Sequence, residues 1–293
     1  MEGTKIKNIV ILILLLLNGF LLFLVGGRRF EDSRSYETAR NSAIQVVRAG
    51  GVALEEVAVP REMTLQFMQA ERDLAREHEL AASLLGGVVT VEARGGEVYR
   101  YENGAGWIQF HSTGEVVAEF KPGAFPTAGQ EARRHGGDLL NRLGFEGRVL
   151  EDAVTDGDGS ITFRQHWQGA PVLGCQATLN YRDGSLVSIT NARQLLGQPH
   201  RSSGESSMSV ATALMRLYNG LKELGDIYTR IESITPAYTM SVSLSGPAQL
   251  TPVWYVRTDT GAYQLDTQTG QLSRIGGLVG TAVLADVVLQ EEL

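Results

Sequence analysis

Cysteine is almost missing: Cys175 is the single one in 293 residues. No intrachain disulfide can form, and no CxxC metal or redox pair or structural zinc cluster can be built. Positive charge is short as well, with 26 Lys and Arg against 33 Asp and Glu, a formal charge of -7 and a pI near 5.4. Such a chain lacks the basic footprint that a phosphate backbone needs, so no nucleic-acid partner is expected. The five histidines, His78, His111, His135, His166 and His200, fall in different predicted elements with no two at ligand spacing. No GxSxG or Walker-type loop occurs either, so nothing identifies a nucleophile, a base or a phosphate cradle. The near-matches fail at their ligands. His78 and Glu79 begin an HExxH, but Ala82 stands where the second histidine belongs. Asp156, Gly157, Asp158 and Gly159 resemble a calcium loop, yet in that register Val154 and Gln165 occupy the first and last ligand positions, where carboxylates are required. A hairpin turn explains the run.

What is present is an ordinary globular composition, 43% hydrophobic and 20% charged, and one long apolar run. Ile9 to Val25 is apolar except for Asn18 and Gly19. At about 1.5 Å per residue it spans roughly 26 Å, close to bilayer thickness once Gly26 and Gly27 are added. A cleaved signal peptide has a shorter core and small residues at its cut, whereas this run ends at Arg28 and Arg29, which favours an uncleaved anchor. Lys5 and Lys7 before the run, against Arg28, Arg29 and Arg34 after it, read alone as N-out. A head this short is no domain, and large downstream domains translocate largely regardless of charge, so the expected topology is N-terminus cytoplasmic with the bulk outside. On a helix, Ile11, Leu14, Leu15, Asn18, Leu22 and Val25 share one face, which is the expected partner-binding face. The Asn18 amide would seek a hydrogen bond on another helix, worth about 1 to 2 kcal/mol in model peptides, or be satisfied by its own backbone or interfacial water.

Beyond the run, residues 35–49 read as a helix with Ala39, Ala43, Val46 and Val47 on one side and Gly50 and Gly51 as its stop,. Glu71 to Leu85 reads as a second helix, and Val88 to Phe120 as a meander with turns at Gly95–Gly96, Asn103–Gly104 and Thr113–Gly114,. Thr127 and Gln130 are spaced as a capping box opening a third helix that stops at Gly144,. From Leu173 to Tyr181 strict alternation predicts a strand with one buried face, turned back at Asp183 and Gly184,. Cys175 lies on that apolar face, where a thiol acts as a small hydrophobe, and Trp107, Trp167 and Trp254 sit in strand signals as core or cross-strand residues. Gly197 to Ser207 reads as a linker. Then comes a helix near Ser209 to Leu224 with a Val210, Leu214, Leu217, Leu221 and Leu224 stripe, followed by strands at Tyr238, Met240, Val242 and Leu244, at Val253 to Val256, at Tyr263 to Leu265 and at Leu272,. Helix plus antiparallel hairpins thus occurs twice, a weak internal repeat in element order. The expected class is α+β. The expected layout is a cytoplasmic head (1–8), a transmembrane anchor (9–27), a membrane-proximal α+β region (28–120), two helix-plus-hairpins domains (130–196 and 206–277) and a C-terminal tail (278–293).

The opening KIKNIVILILLLLNGFLLF and an extracytoplasmic part of this size resemble the YycI and YycH regulatory proteins of Gram-positive bacteria, above all YycI. QHWQGAPVLGCQATLNYRDGSLVSI and PVWYVRTDTGAYQLDTQTGQL look like PepSY-type modules, small α/β units of envelope proteins. The resemblance implies a complex with a membrane sensor histidine kinase governing cell-wall metabolism and with a second single-pass, YycH-like protein. It also implies regulation partly through the transmembrane helix and no enzymatic activity; no cofactor is expected. Two other readings compete. In one, a PepSY-like module inhibits a protease or captures peptides and the helix is a tether. In the other, a hydrolase uses the scattered acids Asp152, Asp156 and Asp158.

Overall fold

Residues 35–202, 208–243 and 246–275 are described by the structure, a computed structural model. The anchor and its face of Ile11, Leu14, Leu15, Asn18, Leu22 and Val25 lie outside these residues, as does the tail 278–293. Among the described residues no helix is long and apolar enough to cross a membrane.

Helix α1 (35–49) leads into strand β1 (Ala53–Leu54) and a 3-10 turn at Glu56–Ala58. The buried face of α1 is Arg40, Ala43, Ile44 and Val47, spaced i, i+3, i+4 and i+7 as a packed helix requires. Ala39 and Val46, expected there, are exposed; Val46 sits about 100° around the helix from Val47. Gly50 ends α1 where a Cβ would overlap the Tyr218 hydroxyl.

After β2 (Met68–Ala70) the chain builds one pattern three times. Helix α2 (Leu74–Leu85) precedes β3 (Thr90–Ala93), β4 (Tyr99–Asn103), β5 (Gly106–Phe110) and β6 (Glu115–Phe120). Helix α3 (Ala132–Arg142) precedes β7 (Gly147–Asp152), β8 (Gly159–Trp167), β9 (Ala170–Arg182) and β10 (Ser185–Arg193). Following β11 (His200–Arg201), helix α4 (Val210–Glu223) precedes β12 (Arg230–Ser241), β13 (Ala248–Thr258), β14 (Ala262–Asp266) and β15 (Leu272–Ile275). Each set of four strands is an antiparallel meander. The α+β class holds, and the repeat read twice from sequence is present a third time in α2–β6.

Five local expectations are corrected. Helix α2 starts at Leu74 and not at Glu71, because Met68–Ala70 pairs with β13 and the Asp73 carboxylate caps the helix by accepting from the Arg76 N–H at 3.1 Å,. Thr127 and Gln130 form no capping box: Thr127 N–H donates to the Gly184 carbonyl, Gln130 N–H to that of Thr127, and α3 begins after Glu131 without a side-chain cap. The strand expected at Tyr238 to Leu244 is displaced, running from Arg230 to Ser241, with Val242 outside it and Leu244 outside the described residues. Leu224 follows the end of α4 and is 48% exposed. The segment after Gly197 contains β11, which pairs with β2.

The meanders merge into one sheet. β6 joins β10 antiparallel, and β9 joins β12 by a short parallel contact at Tyr238–Val172 and Thr239–Leu173. One apolar cluster takes Leu84 of α2, Tyr101, Phe110, Leu140 of α3, Phe163 and Leu179. A second packs Ala43, Ile44 and Val47 of α1 and Leu214, Leu217 and Leu221 of α4 over Trp254, Val256 and Tyr263. β3 closes one end of the sheet, exposed at all its residues.

Candidate functional site

The chemistry-bearing side chains are mostly committed to structure. Cys175 is fully buried; its thiol lies 3.7 Å from the Met240 sulfur, and burial pushes its pKa up to about 12, which keeps it protonated and inert. Asp158 accepts the Asp183 N–H at 2.8 Å, and Thr155 N–H donates to the Asp158 carbonyl, so the Asp-Gly run is the expected turn. Asp183 and Gly184 turn β9 into β10 with φ of 51° and 66°, as a two-residue hairpin loop demands. Asp152 pairs with Arg133 at 3.2 Å. Trp254 is core, and Trp107 stacks under the Arg100 guanidinium at 3.8 Å from its ring centre,. The histidines are dispersed: His78 against Tyr101, His111 beside Gln109, His135 on Tyr181 and His200 on Gln69. Among the described residues no three His, Cys, Asp or Glu side chains could hold a metal.

One place differs. A cleft of about 120 Å³ opens between α2, the α3–β7 corner, the end of β8 and the segment after β10. It lies beside an irregularity in the β8–β9 ladder, where Arg164 pairs with Gln176 and His166 with Pro171, so that three extra residues of β9 bulge out against β8,. Gln165 and His166 are buried in succession there. Gln165 Oε1 accepts the Leu195 N–H at 3.2 Å, and the Leu196 carbonyl accepts from Asp73 N–H at 3.2 Å. These bonds fix the far wall. Gly197 is required in that wall because a Cβ would overlap the Glu71 carbonyl oxygen.

The cleft lining mixes polar and apolar side chains. Arg76 stands on one side, the Gln198 amide oxygen accepting from both its terminal nitrogens. Glu146 stands at the corner, and Leu80, Leu143, Leu195 and Pro199 complete the walls. His166 is 8% exposed, with Nδ1 3.1 Å from the Arg164 carbonyl. A carbonyl only accepts, so Nδ1 carries the proton and Nε2 is the acceptor of the neutral ring. Burial lowers its pKa, Arg148 adds to that, and the Arg164 carbonyl and Glu146 oppose it. The Trp167 indole N–H is buried with no hydrogen-bond partner among the described residues, a cost of about 1 to 3 kcal/mol if it stays dry.

His135 shares this burial-lowered pKa. For a group whose folded pKa lies below the unfolded value near 6.5, the stabilising contribution is intact above that value and lost as pH falls through the folded pKa. The urea midpoint of the protein is therefore expected to hold from pH 8 to 7 and to fall below about 6.5. His166→Gln should lessen the fall; an unchanged acid limb would refute the assignment.

From sequence Trp167 is a core or cross-strand residue, and it is partly buried against the cluster of Val172, Cys175 and Tyr238; His166 stands at no ligand spacing from another histidine, and the cleft is not foreseen. The one signal is Arg164-Gln165-His166, three polar residues in a row within a strand.

No family model matches the chain, and no curated protein does. Among solved structures it is similar to an uncharacterized protein from Eubacterium rectale, at 13% identity over 72% of this chain and 86% of that one, with a TM-score of 0.44. It is also similar to the Bacillus megaterium YpeB C-terminal domain, at 13% identity over 71% of this chain and all of that one, with a TM-score of 0.36.

Proposed function

We propose that this chain is a single-pass, membrane-anchored regulatory protein whose extracytoplasmic body binds other proteins and performs no chemistry of its own. The observation that carries this reading is the seating of α1. The first described element after the apolar run packs Ala43, Ile44 and Val47 into the core under α4. Arg40, only 7% exposed, donates to the carbonyls of Glu56, Val59 and Pro60. A body fastened in this way to the root of its anchor can pass a change of binding state to the membrane as a shift of helix position. Such a shift can bias two arrangements of a receptor bundle, and 1.4 kcal/mol of coupling is already tenfold.

The resemblance to YycI and YycH supplies the partner: a sensor histidine kinase of a two-component system controlling cell-wall metabolism, together with a second single-pass, YycH-like protein. Contact would run through Ile11, Leu14, Leu15, Asn18, Leu22 and Val25, with the N-terminus cytoplasmic and PepSY-like modules at 130–196 and 206–277 outside. The exposed edge of β3 offers a further docking line for an added strand,. The experiment is crosslinking in native membranes and affinity capture of the full-length chain, comparing wild type, Asn18→Leu and a wholly replaced helix. Capture of a sensor kinase that weakens with either change is expected. Capture indifferent to the helix, or without a kinase, overturns the reading and leaves the tethered PepSY-like binding module, which the cleft beside the end of β8 favours.

A further inference from the structure

A strand at the end of a sheet offers its backbone to any other strand, and proteins blunt such edges with bulges, charges or a covering segment. β7, which pairs only with β8, is blunted: its ladder is interrupted between Val149 and Glu151, and it ends on Glu151 and Asp152. β3 has no bulge. Among the described residues it pairs only with β4, in an unbroken register from Thr90–Glu102 to Ala93–Tyr99. The charges beside it are spent on each other, Arg94 meeting Glu92 at 2.8 Å. Val88 is 91% and Val91 49% exposed. The ladder shows which backbone groups are free. Arg94 N–H donates to the Val98 carbonyl, and along an antiparallel pair hydrogen-bonded and non-hydrogen-bonded positions alternate. Thr90, Glu92 and Arg94 therefore turn their N–H and C=O groups toward β4, and Val89, Val91 and Ala93 turn theirs to the open edge.

A second copy of the same strand fits this edge. In a twofold antiparallel pair, residues with outward groups must face one another, so the axis passes through Val91, Glu92 or Ala93. An axis at Glu92 sets two carboxylates directly opposite, which is unfavourable. An axis at Ala93 runs Val91 against Gly95, which is already in the turn with φ of 83°, and leaves little strand to pair. An axis at Val91 uses the whole strand: Val91 of one copy faces Val91 of the other, Val89 faces Ala93, Thr90 faces Glu92, and no like charges are opposed. We propose that β3 is a self-association edge, two copies of this chain pairing antiparallel about a twofold axis through Val91 so that their meanders continue as one sheet. A pairing this short buries roughly a few hundred Å², against the 1,200 Å² or more of a stable complex, so it is weak between free bodies. Anchors in one membrane raise the effective concentration of the two edges and let the weak contact form. That last step rests on the membrane-anchored reading; the fit of the edge to itself does not, and neither step needs a kinase.

The test is disulfide scanning of the full-length chain in membranes under a mild oxidant, with single cysteines placed in turn at Thr90, Val91, Glu92 and Ala93. Wild type is the blank, since its one cysteine, Cys175, is fully buried. Val91→Cys should give the most dimer, because facing Cα atoms of a hydrogen-bonded pair lie about 5.5 Å apart, within the reach of a disulfide. Thr90→Cys and Glu92→Cys should each link poorly to themselves, their own copies lying on a diagonal about 7 to 8 Å away, but should link well to each other when co-expressed. Val91→Pro removes an outward N–H from each copy and leaves the β3–β4 ladder intact. It should cut energy transfer between labelled copies in liposomes, lowering the association constant about tenfold or more, with the urea midpoint unchanged. Dimer at no position above the wild-type level, equal linkage at every position, a peak away from Val91, a Val91→Cys adduct to a different protein, or association that survives Val91→Pro overturns the proposal. Kinase capture that persists while Val91→Cys stays monomeric would sink the edge pairing alone, and a chain absent from the membrane fraction would sink the anchored reading.

Discussion

Arg72→Met is expected to destabilise the fold by about 3 to 5 kcal/mol at neutral pH, because it strands a buried carboxylate. Glu77 lies on the inner face of α2 with no exposed surface. Arg72 meets it with two parallel bonds, Nε to Oε1 at 2.6 Å and a terminal nitrogen to Oε2 at 3.0 Å. The other terminal nitrogen donates to the Glu97 carbonyl at 2.6 Å, and the guanidinium lies 5.3 Å from the Tyr99 ring centre. One side chain thus ties the α2 entry to the β3–β4 turn. Burial raises the Glu77 pKa, while the hydrogen bond and charge of Arg72 pull it back. A group with a raised folded pKa contributes stability that is intact below its unfolded value near 4.5 and lost as pH rises through the folded one. Removing Arg72 raises that folded pKa further, since the opposing influence is gone. The penalty of Arg72→Met should therefore be smallest in acid and grow toward neutral pH. Urea midpoints of variant and parent, measured pairwise across pH, cancel the histidine contributions common to both. The double variant Arg72→Met with Glu77→Leu should recover most of the loss, because a well-packed apolar pair often replaces a buried ion pair at little cost. A penalty independent of pH, or no recovery in the double variant, would mean that packing and not charge holds α2.

Arg40→Met comes next, at an expected cost on the order of 2 to 4 kcal/mol, concentrated in α1. The Arg40 guanidinium donates to the Glu56 carbonyl at 2.8 Å, the Val59 carbonyl at 2.7 Å and the Pro60 carbonyl at 3.1 Å, with Glu56 Oε1 at 3.3 Å. Those carbonyls belong to the 3-10 turn and the segment just after it, whose backbone finds little regular pairing of its own. A methionine keeps the stem and removes every donor. Arg40→Lys should restore little, because a single ammonium cannot reproduce a planar fork that reaches three carbonyls at once. Hydrogen exchange checks this directly: amide protection in residues 43–47 should drop far more than in α2 or α3. Uniform loss across the molecule would show that α1 unfolds only with the whole. Under the proposed function the same variant should still be captured by the kinase through the membrane helix while losing its effect on kinase output.

How much of this was legible beforehand depended on the range of the interaction. Leu173 to Tyr181 read correctly as a strand because the two faces of a pleated strand see different solvents, and that demand is written every second residue. The ends of α2 and α4 read nearly as well, since Gly86 in a left-handed cap and Ser209 accepting from Thr212 N–H are local devices,. Val46 was misread on α1 and Leu224 on α4 because apolarity alone does not say which side meets a neighbour. The Thr127 and Gln130 spacing misled for the same reason: Thr127 N–H was taken by Gly184 from across the sheet.

The main helices, the α+β class, the inert position of Cys175 and the hairpin at Asp156 to Gly159 followed from sequence alone, because each rests on periodicity or turn chemistry within a few residues. The candidate site did not. His166 and Trp167 line one cleft with Arg76, Glu146 and Gln198 where β9 bulges by three residues against β8 and where Gln165 accepts from the Leu195 N–H across thirty positions of chain. The partners of Arg40 and the merging of three meanders into one sheet were likewise decided in three dimensions, where side chains distant in sequence compete for the same buried hydrogen bonds and the same core volume.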